Sequence, residues 1–382
     1  MKPRERLLAA LNHVEADRIP IDLASSSVTG MVRQAYVGLR EALALPYEQV
    51  QILDPCHQLA RISEDVLLAL EVDTRSVAAN PPASYKMAIT SDGDYWTYRD
   101  EWGAKLRMPK EGGLYFDFVE FPVAEPTLQA LDAYRWPDPD DPSRFAGLRD
   151  RARALYEETD FALVGTAPMG SDILARMQRT FGLEQTMMAL VAHPDFAEAY
   201  LDRLTDIAVR SWENFLDSVG EYIQVAAMME DLGTQTAPML SPALYRRLIK
   251  PREARIVDVI KRKSQAKVFL HSCGAIRAFI PDFIEIGIDI LNPIQVAAQG
   301  MEDTAQLKRD FGRHLVFWGG ACDAQRVAPF ATPEEVRAEV RRRIADLAPG
   351  GGYVFSWIHD IQPDVTAQNI LAAFQTARDH RY

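Results

Sequence analysis

The sequence predicts an α/β fold, a TIM-type (β/α)8 barrel, on three observations. Eight short apolar runs recur along the 382 residues with longer helical patterns between them, the rhythm of parallel strands each followed by a covering helix. Helix ends are legible: Ser241-Pro242 and Thr332-Pro333 each place an N-cap residue before a first-turn proline, and Pro349-Gly350-Gly351-Gly352 stops the helix that Thr332 opens. The length exceeds that of most single domains, yet barrels often run to about 250 residues or more as one unit. An open doubly wound sheet is the rival arrangement.

Taken in order, the opening stretch MKPRERLLAALNHVEADRIP is amphipathic and charged, without the apolar centre and cleavage site of a secretory signal. The first two strand candidates are 18–24 and 71–79. The segment at about 81–142 then breaks the rhythm. Its run YWTYRDEWGAKLRM alternates as a hairpin does, and WPDPDDP cannot be helical because each proline restricts its predecessor. This antiparallel, aromatic-rich insertion is expected near the barrel mouth, as a lid or as the contact of a homodimer, within a single domain spanning 1–382. The remaining strand candidates are 161–166, 222–229, 267–271, 287–294, 314–320 and 352–357.

Composition narrows the function. The net charge is −12 and Lys/Arg form no patch, which argues against nucleic acid as a partner. No apolar run approaches the ~18 residues that would cross a membrane. Three cysteines cannot build a disulfide framework, so a reducing cytoplasm is the expected compartment.

One of those cysteines carries the strongest chemical signal. In KVFLHSCGAI, His271 and Cys273 stand two apart at the end of a strand candidate, so both side chains point the same way. In a barrel that end is where active sites form. Cys322, in FWGGACDAQ, follows another strand candidate and is expected at the same rim. One nitrogen and two sulfurs suit Zn2+ better than Mg2+ or Ca2+, and three ligands leave a position open for chemistry. A fourth ligand is sought in Glu230-Asp231. Alternation sends the two acids to opposite sides, so at most one binds; Glu230 is the expected ligand and Asp231 a catalytic candidate. His359, after the last strand candidate, is an acid–base or substrate-binding candidate. Asn292 and Gln295 in LNPIQ, together with Tyr245, are candidates for contact with substrate. Cys56 and His57 invite a second metal site, but nothing else clusters with them in the sequence, and a structural role is expected.

Together, MKPRERLLAALNHVEADRIPID, LSPALYRRLIKP, HSCGAI, DILNPIQVAAQGM and PGGGYVFSWIHDIQPDVTAQNILA resemble the uroporphyrinogen decarboxylase superfamily over nearly the whole chain. The resemblance implies the barrel fold and two candidate chemistries. True uroporphyrinogen decarboxylases need no metal and bind substrate carboxylates through an arginine motif, R-Q-A-G-R. Here Arg33-Gln34-Ala35 is followed by Tyr36-Val37, and the basic cradle is missing. The other branch, the zinc-dependent corrinoid-linked methyltransferases, is similar at H-x-C with a distant second Cys. It implies His271, Cys273 and Cys322 as zinc ligands, and a corrinoid on a separate partner protein docked at the mouth. The reading that follows is a zinc-dependent methyltransferase acting on a small methyl ether or thiol. A porphyrinogen-type decarboxylase is the alternative, and a non-catalytic ligand-binding barrel with a structural metal is a third.

Overall fold

The computed structural model describes residues 1–382 except 167, 168 and 170. Thirteen strands fall into three sheets among these residues. A two-stranded sheet pairs β1 (Ile52–Asp54) with β2 (Leu59–Ala60). A four-stranded antiparallel sheet is formed in order by β4 (Thr90–Asp92), β5 (Tyr95–Arg99), β6 (Lys105–Pro109) and β7 (Asp117–Glu120). The central sheet is parallel. It runs from β3 (Thr74–Val77) through β8 (Ala162–Thr166), β9 (Val225–Met229), β10 (Lys267–His271), β11 (Ile290–Asn292) and β12 (Val316–Trp318) to β13 (Tyr353–Val354).

These seven strands match seven of the eight expected runs. The first run, 18–24, forms no regular strand but fills the eighth place. Ile21 bridges Phe355 in parallel, Phe355 N donates to Pro20 O (2.9 Å) and Asp22 N to Phe355 O (2.9 Å), while Asp73 N donates to Ile21 O (2.8 Å). The segment therefore closes the ring between β13 and β3. Pro20 has no N–H to give to a ladder, which explains why the pairing is a bridge rather than a strand. Further along, Gly30 N donates to Asp360 Oδ1 (2.7 Å) and Val32 N to Ile361 O (3.0 Å), extending the seam.

The period-two alternation decides what lies inside the barrel. Ala162 and Val164, Val225 and Ala227, Phe269, Ile290, Val316, Trp318 and Val354 form one buried cluster. Leu7, Ala10 and Leu11 of the helix Pro3–Leu11 join it and plug one end. That end is the N-terminal one, because Arg4 Nε donates to Phe161 O (2.9 Å), just before β8. The opposite, C-terminal end stays available for a site. Asp73, wholly buried, fastens the plug: Arg6 Nη1 (2.6 Å) and Arg18 Nη1 (2.8 Å) both pair with it, and Ile21 N donates to it (2.8 Å).

The antiparallel sheet has its own small core of Tyr98, Ala104, Leu106 and Phe116, against which Cys56 packs. Phe116 N donates to Cys56 O (3.0 Å), and Tyr115 Oη donates to Gln362 Oε1 beyond β13. The insertion is thus anchored over the C-terminal end of the barrel. Helices begin at Pro242 and Pro333, with Ser241 Oγ accepting from Leu244 N (3.2 Å) and Thr332 closing a capping box with Glu335. No helix among the described residues is long and apolar enough to cross a membrane.

Candidate metal centre

At the end of β10, His271 follows Phe269 onto the inner face, and Cys273 continues the same alternation. His271 Nε2 lies 3.2 Å from Cys273 Sγ. His359, after β13, brings its ring centroid to 5.2 Å from that of His271. One donor atom from each of His271, Cys273 and His359 lies within 4.8 Å of the other two.

The neighbours of this trio fix how it is presented. Asn292, one stave over and paired in register with His271, donates from Nδ2 to Trp318 O (2.8 Å). Its Oδ1 therefore faces His271 and accepts from Nδ1–H. That leaves the lone pair of His271 on Nε2, turned toward Cys273, as in metal sites where a second hydrogen bond sets the tautomer. Burial lowers the pKa of His271, against the pull of Asp231, so the neutral ligand form is favoured. Burial, then Asp231 and Asp360, push the Cys273 thiol well above its ordinary range. The sulfur holds its proton unless a cation compensates it. For His359 burial works against protonation, but Asp360 and Asp231 outweigh it and raise the pKa. Two imidazoles and a thiol form a soft donor set that fits Zn2+.

Parity sorts the two acids after β9. Met229 packs on the inner cluster, so Asp231 continues inward and Glu230 points out. Asp231 Oδ1 sits 3.8 Å from His271 Nε2 and accepts from Cys273 N (3.0 Å). Glu230 is wholly buried on the other side, where it accepts from Leu174 N (2.8 Å) and Ala175 N (3.1 Å) at the start of the helix Ile173–Phe181. Its carboxyl caps a helix, contrary to the expected ligation.

Cys322 also departs from expectation. It belongs to the main apolar core, its Sγ makes only a long contact of 4.0 Å to the carbonyl of the adjacent Asp323 among the described residues, and burial pushes its thiol up to about 12. The chain after β12 turns through Gly319 (φ 123°) and Gly320 (φ 67°), conformations outside a strand, so alternation no longer aims Cys322 at the mouth. A Cβ on Gly319 would lie 2.2 Å from Pro293 O. His359 occupies the place in the trio expected for Cys322. Tyr245 is likewise remote in role: its hydroxyl donates to Glu253 Oε2 (2.6 Å) and its ring packs 4.7 Å from that of Phe279. Gln295 does reach the mouth, where its Oε1 accepts from Gly274 N (2.8 Å).

Two cavities meet at the trio. One, of about 270 Å3, is lined by His271, His359 and Asp231 and also by Asp54, His57 and Arg179. The other, of about 450 Å3, is lined by Cys273, His359, Gln235, Gln295, Gln325 and Gln362. His359 faces both. Sequence reasoning missed the charged wall of the smaller cavity. Arg179 Nη1 (2.9 Å) and Arg176 Nη2 (3.2 Å) both pair with Asp172 there, and His57 Nδ1 lies 2.6 Å from Asp54 Oδ2. His57 does stand out in the sequence beside Cys56, with a structural role expected, but its tie to Asp54 rests on an i, i+3 spacing too common to single out, and nothing in the sequence brings Asp172, Arg176 and Arg179 to it.

Residues 97–380 match the family model described as uroporphyrinogen decarboxylase (URO-D). A uroporphyrinogen decarboxylase of Synechococcus sp. (strain CC9605) is 21% identical over 325 residues, covering 80% of this chain and 84% of the relative. Among solved structures, a methyltransferase from Methanosarcina mazei is similar with a TM-score of 0.65, over 99% of this chain and 98% of its own, at 16% identity. At that identity the likeness is one of fold.

Proposed function

Since the chain belongs to the uroporphyrinogen decarboxylase family, its chemistry has to be argued from its own barrel mouth, and we propose that it is a methyltransferase. It moves a methyl group between a small methyl ether or thiol and the corrinoid of a separate protein, with Zn2+ held by His271, Cys273 and His359. The observation that carries this reading is the convergence of those three donors, within 4.8 Å of one another, beside a cavity of small-molecule size. The fold likeness to a methyltransferase agrees with it.

A divalent metal there would supply Lewis-acid stabilisation to the substrate oxygen or sulfur. The chain's own residues do the rest. Asn292 keeps the ligand lone pair of His271 on Nε2, and Asp231 holds the backbone of Cys273. Arg179 and Asp172 form an ion pair in the wall of the smaller cavity. The two cavities on either side of His359 give substrate and partner separate approaches to one centre.

A decarboxylase acting on a polycarboxylated macrocycle fits less well. The stretch 19–32 holds no Lys or Arg, and both arginines of the smaller cavity are already paired with Asp172. Elemental analysis tests the proposal: about one zinc per chain in wild type, little in Cys273→Ala or His359→Ala, and wild-type content in Cys322→Ser. Reduced cobalamin with aryl methyl ethers, and methylcobalamin with thiols, then test turnover. Loss of the metal is expected to cost about three decades of rate, several kcal/mol of barrier. Equal rates after chelation, or formation of coproporphyrinogen from uroporphyrinogen, refute the assignment.

A further inference from the structure

The Asp54–His57 pair is prearranged in a way that a surface ion pair is not. Asp54 ends β1, and its two carboxylate oxygens have separate partners. Oδ1 accepts from Cys56 N (2.8 Å) in the tight turn to β2, and Oδ2 faces His57 Nδ1 at 2.6 Å. Burial works to raise the pKa of Asp54, but His57, the Cys56 N–H and Arg179 outweigh it, so the carboxylate stays ionised. The ring of His57 is further positioned by Tyr115 of the insertion, edge-on at 6.3 Å, and Tyr115 is itself held by Gln362. With Nδ1 engaged by Asp54, Nε2 is the atom left to act, and it makes no hydrogen bond among the described residues. Asp54 and His57 line the same 270 Å3 cavity as His271, His359 and Asp231. A small molecule in that cavity therefore shares its walls with the imidazoles of His271 and His359 and with that of His57.

We propose that His57, oriented by Asp54, exchanges the proton of the substrate heteroatom through Nε2. This rests on the methyl-transfer reading above and adds to it the acid–base partner that such a reaction requires. In the demethylating direction the bond between oxygen and the methyl carbon breaks, and its electron pair stays on oxygen. The methyl carbon takes its new bond from the electron pair of the partner's reduced corrinoid. The oxygen takes its proton from His57 Nε2, and water restores that proton. In the methylating direction neutral His57 accepts the proton of the thiol or hydroxyl. Asp54 remains ionised throughout, holding the ring in one orientation and balancing the imidazolium.

Two measurements on wild type, His57→Gln and Asp54→Asn decide it, after zinc content and circular dichroism are shown to be unchanged. The first uses no turnover. In chelator-treated protein at mildly acid pH, 4-nitrophenol is titrated and its yellow phenolate followed. Wild type is expected to bind the probe with a greater ionised fraction than the free phenol shows in the same buffer, and both variants to lose that excess. The second compares leaving groups with reduced cobalamin. For anisole, a poor leaving group, His57→Gln is expected to lose about a hundredfold, within the range of general acid catalysis. For 4-nitroanisole, whose phenolate leaves without a proton, it is expected to stay within about threefold of wild type. Equal ionisation of the probe in all three proteins, no ionised bound probe in wild type, or a loss that is the same for both ethers overturns the proposal. Should wild type demethylate neither ether, the methyltransferase reading fails, and the phenol titration still decides the dyad.

Discussion

Asn292 shows how much a single amide can control. It spends its N–H on Trp318 O and its oxygen on His271, so Asn292→Ala strands two buried partners at once. Leaving buried polar groups unpaired costs about 1–3 kcal/mol each, and loss of such an outer contact lowers metal affinity by about 10–100-fold. Competition against a chromophoric chelator measures the second effect separately from denaturation. A different residue governs pH. Burial pushes Glu253 up to about 7, against the hydrogen bond from Tyr245, and Glu253 Oε1 has no partner among the described residues. The folded state therefore favours the protonated acid. That contribution is full below the usual carboxylate range and is lost as pH climbs through about 7. The loss amounts to about 3 kcal/mol, at ~1.4 kcal/mol per pKa unit. Denaturation midpoints for wild type are expected to fall between pH 4 and pH 8, and Glu253→Gln to flatten that fall. Neither role was legible beforehand. The strand-end position of Asn292 is visible in the sequence and suggests contact with substrate, whereas its partners sit on neighbouring staves; Tyr245 invites the same expectation, but its partner Glu253 lies one helix further on.

The elements around the site separate what a local pattern can reveal from what it cannot. His271 and Cys273 were readable because two-residue alternation persists off the end of β10. Glu230 and Asp231 were known to diverge, but which one faced inward depended on the register of β9, which the sequence alone left open. The register makes Glu230 a cap. Glu230→Ala is accordingly expected to lower stability by about 1–2 kcal/mol through two freed helix N–H groups, with zinc content unchanged; loss of zinc would restore it to the ligand set. The same reasoning locates a fragile turn. Gly274 has φ 87°, and a Cβ there would stand 2.4 Å from Gly233 C and 2.5 Å from Gly233 O. Gly274→Ala must displace either the loop after β9 or Cys273 itself. We expect a drop of about 1–3 kcal/mol from the left-handed conformation alone, and a fall in zinc content that Cys322→Ser does not show. Cys322 itself looked like a strand-end ligand because its distance from β12 is short; two glycines with positive φ undo the alternation on which that expectation stood.

Over the whole molecule the barrel was the most readable feature, since eight runs alternating with helices carry redundant information and a misjudged boundary moves none of the others. The closure was not readable, because the first run contributes one bridge where a strand was expected. Its hold on the barrel comes instead from Asp73. Removing that carboxylate takes the nearest counter-charge from largely buried Arg18, which keeps Glu71 at 3.9 Å, and one of two partners from Arg6, which keeps Asp17 at 2.7 Å; Asp73→Ala is expected to cost about 3 kcal/mol, the low end for a broken buried pair, seen as an early denaturation midpoint in a protein that retains its zinc-binding residues. The seam also imposes an order in time. The bond from Gly30 to Asp360 joins positions 330 apart, and His359 stands beside it. During synthesis at ~5–20 residues per second, the first stave therefore waits on the order of tens of seconds for its second neighbour. Late in that interval, once β12 is made and before β13 follows, an almost complete sheet has an open edge and two of three donors, so the emerging chain is then most exposed to edge pairing and to capture of its thiol by stray metal.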